Sequence, residues 1–298
     1  SRFDSQDSVA VWGDYLKAFP SLFPASGKIA YKAVPDNVKD LFRTGHVWDN
    51  SVSIAGGNEK SSVSATMSYL KQSGYVPNSG FNRGSIGLGG STKLTNGLIA
   101  SGNFSYSNTN QSGSVFGENQ VDGATSSFAR NLFLGRNWDI AGLPYEDVRG
   151  FPVSTSSAQY DNPFWAWKHN TVNTENNRVT GNISLAYDIT SWLSTSYRIG
   201  VNQFNLFRRE VVDIGSRGSG GLGNIKEANY SNKEIESIFL VNFNPAPIGK
   251  FDLKAFVGHN VNSRDSRDQL TNGTEIVAPN IYTLTNTKTQ VVENSILS

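Results

Sequence analysis

The sequence predicts an all-β protein, an arc of a wide antiparallel β-barrel, and three observations lead to this fold class. Segments of about ten residues alternate apolar and polar positions, which is the period of a β-strand. The polar positions carry mostly Ser, Thr, Asn and Gly rather than charged side chains. The connections alternate between short turns and long loops. These three patterns together are typical of strands with lipid on one face and water on the other.

The stretch 50–75 shows the alternation most clearly. Val63 and Met67 belong to an apolar set, and Ser64 and Thr66 lie between them in a hydroxyl-bearing set. Because successive side chains of a strand point to opposite faces, we expect Met67 to face lipid and Thr66 to face the lumen. The same pattern predicts eight strands, at roughly 47–56, 61–71, 82–93, 97–108, 177–188, 192–206, 233–244 and 250–262.

The connections differ in length between the two ends of the predicted strands. The short ones lie at 56–61, 94–97, 189–191 and 244–249. The long ones lie at 72–81, 109–176, 207–232 and from 263 onward. Short turns at one end and long loops at the other indicate an outer-membrane barrel with extracellular long loops. A soluble antiparallel sandwich is the alternative that the pattern alone leaves open.

Two further features bear on the barrel and its width. Aromatic residues lie near strand ends, as in interfacial girdles: Tyr69, Tyr106, Tyr187, Trp192, Phe204, Phe243 and Phe251. An eight-stranded barrel has its lumen filled by side chains, and the small polar residues of this chain are too small to fill one. We therefore expect the strands to form part of a wider barrel, and the chain to be a fragment of a longer protein.

Composition excludes several classes of protein. The 298 residues are 37% hydrophobic, 11% aromatic and only 17% charged, a combination unlike disordered chains. The net charge of +1 gives no electrostatic case for binding nucleic acid. The absence of cysteine excludes disulfides and thiolate metal sites. No apolar run is long enough for a transmembrane helix.

Catalytic motifs are missing from the sequence. His46, His169 and His259 do not stand at metal-ligand spacing from one another. The glycine-rich stretches 87–92 and 215–223 lack the following helix that a phosphate-binding loop needs. We therefore expect no enzyme activity, no cofactor and no metal site.

The long loop 109–176 carries aromatic residues that are candidates for contact with a ligand or partner. Residues 126–139 are predicted to form a short helix, and 159–170 concentrate Tyr and Trp side chains. Such a group either forms a local core for the loop or stacks against a sugar, a peptide or a protein partner. The candidate contacts are Tyr160, Phe164, Trp165, Trp167, Trp138 and Tyr145. Residues 1–46 are also predicted to be loop, with a helical turn at 35–42 that Asp36 can cap.

Seven motifs stand out along the chain. These are DNVKDLFRTG (36–45), NSVSIAGGNEKSS (50–62), SYLKQSGYVPNSGFNR (68–83), RNLFLGRNWD (130–139), DNPFWAW (161–167), NNRVTGNISLAYDITSWLS (176–194) and NIYTLTN (280–286). In these motifs and their order, over nearly the whole length, the chain resembles the SusC/RagA-type TonB-dependent outer-membrane transporters.

This resemblance implies a plugged barrel of about 22 strands that imports glycans or peptides across the outer membrane of Bacteroidota. The implied partners are a SusD-like surface lipoprotein, outer-membrane lipid, and TonB–ExbB–ExbD acting through an N-terminal plug region that this sequence lacks. Residues 1–46 would be an extracellular loop region, and 47–298 a partial barrel. A passive porin-like channel and a soluble β-rich binding or adhesion module are the alternatives.

Overall fold

The computed structural model describes residues 32–94, 97–115, 139–153, 161–247 and 250–297. It contains one antiparallel sheet in which each strand pairs with the next one along the chain. The strands are β1 His46–Gly57, β2 Ser61–Ser73, β3 Gly80–Lys93, β4 Leu98–Ser114, β5 Thr171–Asp188, β6 Leu193–Val212, β7 Asn224–Phe243, β8 Ala255–Ile276 and β9 Thr287–Leu297. One α-helix, α1, spans Pro163–His169, and 3-10 turns lie at Lys39–Leu41, Arg217–Ser219 and Leu284–Asn286. None of the helices in these ranges is long and apolar enough to cross a membrane.

The predicted all-β class and antiparallel arc are confirmed. Within the described residues β1 and β9 do not pair with each other, so the sheet is open. In addition, β9 pairs only with residues 266–276 of β8, which leaves 255–265 with one unpaired edge. Unpaired strand edges are costly in lipid and prone to aggregation in water. The sheet therefore has edges that further strands would satisfy.

The strand registers place the apolar residues of neighbouring strands on the same side of the sheet, which we call the apolar face. Val52, Met67, Ile86 and Tyr106 are cross-strand neighbours on β1 to β4. On later strands the apolar positions lie nearer the short-turn end, as in Ile183 and its neighbour Ile199, because barrel strands are tilted. Its exposed members include Ile54, Val63, Leu88, Phe104, Leu185, Phe239, Val257 and Val261.

The opposite side, the polar face, is lined by small hydroxyl and amide side chains. Ser53 and Thr66 form a cross-strand hydrogen bond of 3.1 Å between their hydroxyl groups. Further along the sheet, Arg178 donates to the Asn202 side chain at 3.0 Å. Two ion pairs lie on this face: the Arg198 and Glu236 side chains are 3.3 Å apart, and the Arg264 and Glu234 side chains are 3.1 Å apart. Met67 and Thr66 thus lie on opposite faces, as the alternation predicts.

Five strands extend further at the long-loop end than the sequence predicts. Residues 109–114 and 171–176, which the alternation assigns to the loop, continue β4 and β5. The end of β6 and the start of β7 are likewise extended, as is the end of β8. Both faces are largely polar in these extensions, so the alternation that marks a strand disappears although the backbone pairing continues.

Near the C-terminal end of the chain, strands β8 and β9 also differ from the predicted strands. Strand β9 lies in the region from 263 onward that is predicted to be loop. The alternation does not reveal this strand because the adjacent Val291 and Val292 break it. Strand β8 begins at Ala255 and not at residue 250. The β7 ladder ends at Phe243, and the prolines at 245 and 247 have no N–H to extend it.

Candidate functional site

Helix α1 is the centre of the candidate site and begins where its sequence dictates. The Asn162 side chain accepts a 3.0 Å hydrogen bond from the Phe164 N–H, which caps the helix. Pro163 occupies the first helical position, where its missing N–H costs nothing. The Asn170 N–H donates to the Ala166 carbonyl at 2.8 Å and closes the last turn. The cap and the proline together fix the start of the helix.

The aromatic candidates on α1 divide into buried and half-buried side chains. Trp165 and Trp167 are 0% and 2% exposed. The Trp165 indole donates to the Gly150 carbonyl at 2.8 Å. The Phe164 ring is half-buried and lies 6.0 Å from the ring of Tyr145. The surface that is open to a ligand or partner therefore comes from Phe164 and Tyr145.

Four of the six candidates are thus brought together, and their role as contacts stays a prediction. Trp138 and Tyr160 lie outside the described residues, as does the helix predicted at 126–139. The predicted helical turn near the start of the chain is present as Lys39–Leu41. Its N-cap is Val38, so Asp36 does not cap it with its side chain as predicted. Asp36 contributes its carbonyl, which accepts from the Asp40 N–H at 2.8 Å.

Buried polar residues, which the sequence analysis did not single out, join α1 to the β6–β7 loop. Asp161, Asn170 and Ser216 are each 0% exposed. The Ser216 hydroxyl donates to Asp161 Oδ2 at 2.6 Å, and the Arg217 N–H donates to Asp161 Oδ1 at 3.0 Å. Burial raises the pKa of Asp161 although these hydrogen bonds oppose the shift. These groups lie far apart along the chain, so no local pattern marks them.

His169 lies between two carboxylates from different loops. Its Nδ1 is 2.8 Å from Asp213 Oδ2, and its Nε2 is 3.1 Å from Glu146 Oε2. The imidazole stacks on the Trp165 ring at 4.7 Å. The Tyr282 hydroxyl donates to Asp213 Oδ2 at 2.7 Å, which brings in the β8–β9 connection. We call Glu146, His169, Asp213 and Tyr282 the His169 clamp. It joins three loops at the long-loop end of the sheet.

The electrostatics of the clamp favour a protonated imidazole. Burial acts to lower the pKa of His169, but the hydrogen bonds with Asp213 and Glu146 outweigh it and raise the pKa above 6.5. Burial acts to raise the pKa of Glu146, but the Lys168 ammonium at 2.7 Å and His169 hold it below 4.5. Burial and the bond to Asp213 raise the pKa of the Tyr282 hydroxyl. No group of three His, Cys, Asp or Glu residues in the described ranges is placed to hold a metal ion.

The clamp should be stable at mildly acidic pH and weaken as the pH rises. A raised pKa for His169 means that its stabilisation is complete below 6.5 and is lost as pH rises through the folded-state pKa. A lowered pKa for Glu146 means that its stabilisation is lost only as pH falls below 4.5. We expect faster protease cleavage within 139–153 at alkaline pH than at pH near 6.5.

The matched control for this pH effect is His169→Gln, which keeps a polar side chain but cannot gain charge. In this variant the cleavage rate should follow only the pH dependence of the protease. Identical pH profiles for the variant and the wild type would contradict an electrostatic role for His169. Lys168→Gln should leave the alkaline weakening in place, because its ammonium contacts Glu146 and not Asp213.

A concave surface on the polar face also has the chemistry of a binding site, and the sequence analysis missed it. This polar-face groove has a volume of about 750 Å³ and lies on the strand extensions at the long-loop end. It combines apolar and charged side chains, and Arg208 pairs with Glu210 at 3.2 Å. Its lining includes Phe204, Leu206, Arg208, Glu210, Lys226, Tyr230 and Asp268. The register brings these residues to one face, and all of them except Phe204 and Leu206 lie in strand extensions that the alternation did not predict.

Other contacts tie further loops to this end of the sheet. The Asn78 amide donates to the Trp167 carbonyl at 3.1 Å, which joins the β2–β3 turn to α1. The Arg43 guanidinium donates to the Gly74 carbonyl at 3.0 Å. We call α1 together with residues 139–153, 213–223 and 277–286 the loop cap. The loop cap is therefore a folded unit at the long-loop end of the sheet.

Comparison with known proteins gives matches in structure alone. No protein-family model and no curated protein sequence matches the chain. Three solved structures of the RagAB peptide transporter or importer match, and their chains are 17–18% identical. The TM-scores are 0.71 for the "closed-closed" state, 0.73 for the RagAB peptide transporter structure and 0.68 for the "open-open" state. The fold is that of a RagA-type barrel segment.

The matches cover nearly all of this chain but only about a third of each matched RagAB chain. The alignments cover 98%, 97% and 100% of this chain. They cover 33%, 33% and 34% of the RagAB chains. The chain therefore spans about a third of the length of the importers that it matches, and the expected resemblance is confirmed at the level of the fold.

Proposed function

We propose that this chain forms wall and extracellular loops of a SusC-like, TonB-dependent outer-membrane importer. The observation that carries the proposal is the division of the sheet into an apolar face and a face of Ser, Thr, Asn and Gly. A soluble sandwich would bury its apolar side chains, whereas Ile183 and Met67 are 63% and 60% exposed. Lipid around the apolar face accounts for that exposure.

The position of the loop cap indicates where a partner protein would bind. The loop cap lies at the long-loop end, which is extracellular in outer-membrane barrels. We infer that a SusD-like surface lipoprotein docks there, with Phe164 and Tyr145 among its contacts because aromatic side chains are enriched at protein interfaces. TonB–ExbB–ExbD would act through a plug region that belongs to the full-length protein.

The cargo that we propose is a peptide, with a glycan as the alternative. The polar-face groove offers charges of both signs beside Phe204 and Tyr230, which suits peptide termini and mixed side chains. The RagAB structures are of a peptide importer or transporter, and this supports the same assignment. Glycans would depend more on amides and aromatic rings than on paired charges.

An uptake assay with the full-length protein in its outer membrane tests this function. Cells should accumulate a fluorescent peptide, and depletion of TonB or collapse of the proton gradient should abolish uptake. Uptake that continues without TonB would favour the passive channel. Recovery of the protein in the aqueous fraction as a monomer would favour the soluble module. Accumulation of a labelled oligosaccharide instead of the peptide would favour the glycan alternative.

Lys226→Ala tests the groove itself. Loss of a cation that binds a carboxylate should reduce uptake of an acidic peptide by about three- to tenfold. Lys288→Ala is the matched control, because Lys288 lies outside the groove and pairs with Glu275 at 2.8 Å. Equal effects of the two substitutions on uptake would show that the groove is not part of the transport path.

A further inference from the structure

A second groove lies on the apolar face and is separate from the proposed transport path. It has a volume of about 410 Å³ and is lined by residues of β1 to β4. Gly84 on β3 provides no side chain there, between its register neighbours Tyr69 on β2 and Asn108 on β4. Met67 and Ile86 continue the lining toward the short-turn end. We call this feature the Gly84 groove.

Contacts outside the Gly84 groove hold its two walls apart. On one side, the Tyr69 ring packs against the edge of Trp48 at 5.8 Å. On the other side, the Tyr106 hydroxyl and the Asn108 amide both donate to Asn177 Oδ1 at 2.8 Å. Both walls are therefore fixed by neighbouring strands, and the groove is formed before anything binds in it.

The groove changes from apolar to polar along its length. Val52, Met67 and Ile86 form the part nearest the short turns, and Asn50 and Asn108 lie at the other end. Lys71 stands beyond Tyr69 on the same face of β2, and within the described residues it forms no ion pair. An apolar channel that ends in amides and a cation is complementary to an acyl chain with an anionic head group.

The depth of the groove agrees with this chemistry. Trp48 and Tyr69 lie at its polar end, and the Tyr106 hydroxyl reaches Asn177 at the same level. Trp and Tyr are enriched where the hydrocarbon region of a bilayer meets the head groups. The groove is also continuous with the apolar face, which contacts lipid in the function proposed above. A chain lying along Met67 and Ile86 would therefore extend from the head-group level into the hydrocarbon region.

We propose that the Gly84 groove binds one acyl chain of a phosphate-bearing membrane lipid, with the phosphate at Lys71. The inference rests on the proposed function, because only a membrane-inserted protein presents this face to lipid. The two Asn side chains at the polar end contribute hydrogen bonds to the head group. The site is a lipid-binding site on the outside of the wall, distinct from the polar-face groove.

Gly84→Leu is the sharpest test, because it fills the groove without straining the sheet. A Cβ at Gly84 would meet no atom within 4 Å. The full-length protein is reconstituted with phosphatidylglycerol, and the bound lipid is counted by native mass spectrometry. We expect about tenfold weaker retention in the variant, the change produced when roughly two methylene groups are denied burial.

Two further variants separate the site from general contact with lipid. Gly56→Leu adds the same side chain to the same face in equally open space and should retain phosphatidylglycerol like the wild type. Lys71→Gln should reduce retention of phosphatidylglycerol but not of diacylglycerol, which has the same acyl chains and no phosphate. Unchanged retention in Gly84→Leu, or an equal loss in Gly56→Leu, overturns the site while a membrane-inserted protein still supports the proposed function. Failure to insert into vesicles overturns both.

Discussion

Replacing Ile183 by arginine should lower the free energy of unfolding of the full-length protein in lipid vesicles by about 2–4 kcal/mol. Ile183 lies on the apolar face of β5, midway between Val179 and Tyr187, and is 63% exposed. A guanidinium at that depth loses its hydration and has no partner in lipid. Unfolding with increasing guanidinium chloride, monitored by intrinsic fluorescence, measures the change in the free energy of unfolding.

The neighbouring substitution Asn182→Arg provides the control. Asn182 differs from Ile183 by one position, so its side chain belongs to the polar face. Gly200 is its register neighbour on β6 and leaves room for a longer side chain. The pocket beside it has a volume of about 310 Å³ and contains Glu234 and Glu236, which can partner a guanidinium. We expect the free energy of unfolding of this variant to lie within about 0.5 kcal/mol of the wild-type value.

The difference between the two variants decides the orientation of the sheet. Loss of stability only in Ile183→Arg places the apolar face against lipid. A larger loss in Asn182→Arg would reverse the assignment of the faces. Similar losses in both would indicate a sheet buried on two sides, which contradicts a wall with lipid on one face and water on the other.

The parts of the fold that the sequence predicted are those where one face meets an apolar environment. On β2 and β3, residues such as Met67 and Ile86 alternate with Ser and Gly, and the predicted limits lie within a few residues of the observed ones. The alternation is informative there because lipid-facing and polar-facing positions require different residue types. The predicted opposition of Met67 and Thr66 follows from the same requirement.

The strand extensions could not be predicted because this requirement ends with the apolar band. Arg208 and Glu210 on the polar face of β6 are interspersed with Phe207 and Arg209 on the opposite face. Neither face is uniformly apolar at this level, so the period of two has no signal. The backbone nevertheless keeps pairing, since each N–H and C=O still gains a partner.

The candidate site was predictable in its aromatic residues and not in its polar ones. Trp165 and Trp167 stand together in the sequence, so a local cluster was expected there. The hydrogen bond from Ser216 to Asp161 joins groups 55 residues apart, and that from Tyr282 to Asp213 joins groups 69 residues apart. Such pairs depend on how the loops pack, which local residue patterns do not specify.

Trp165→Ala should unfold the loop cap while the strands remain paired. The substitution removes a fully buried side chain, its hydrogen bond to the Gly150 carbonyl and its stacking on His169. Truncation of a buried Trp costs about 3–5 kcal/mol, more than a set of surface loops can be expected to tolerate. Hydrogen exchange should therefore accelerate in 139–153, 161–170 and 213–223.

Two matched substitutions show whether the loss comes from packing within the loop cap. Trp48→Ala removes the same side chain from the apolar face, where it is 58% exposed, and should leave exchange in the loop cap unchanged. Trp165→Phe keeps most of the volume but loses the indole N–H, so its effect should be intermediate. Faster exchange throughout β4 to β7 in Trp165→Ala would instead mean that the loop cap stabilises the wall. No change in either region would mean that Trp165 does not pack as its burial indicates, and that side chain would then be available to a ligand or partner.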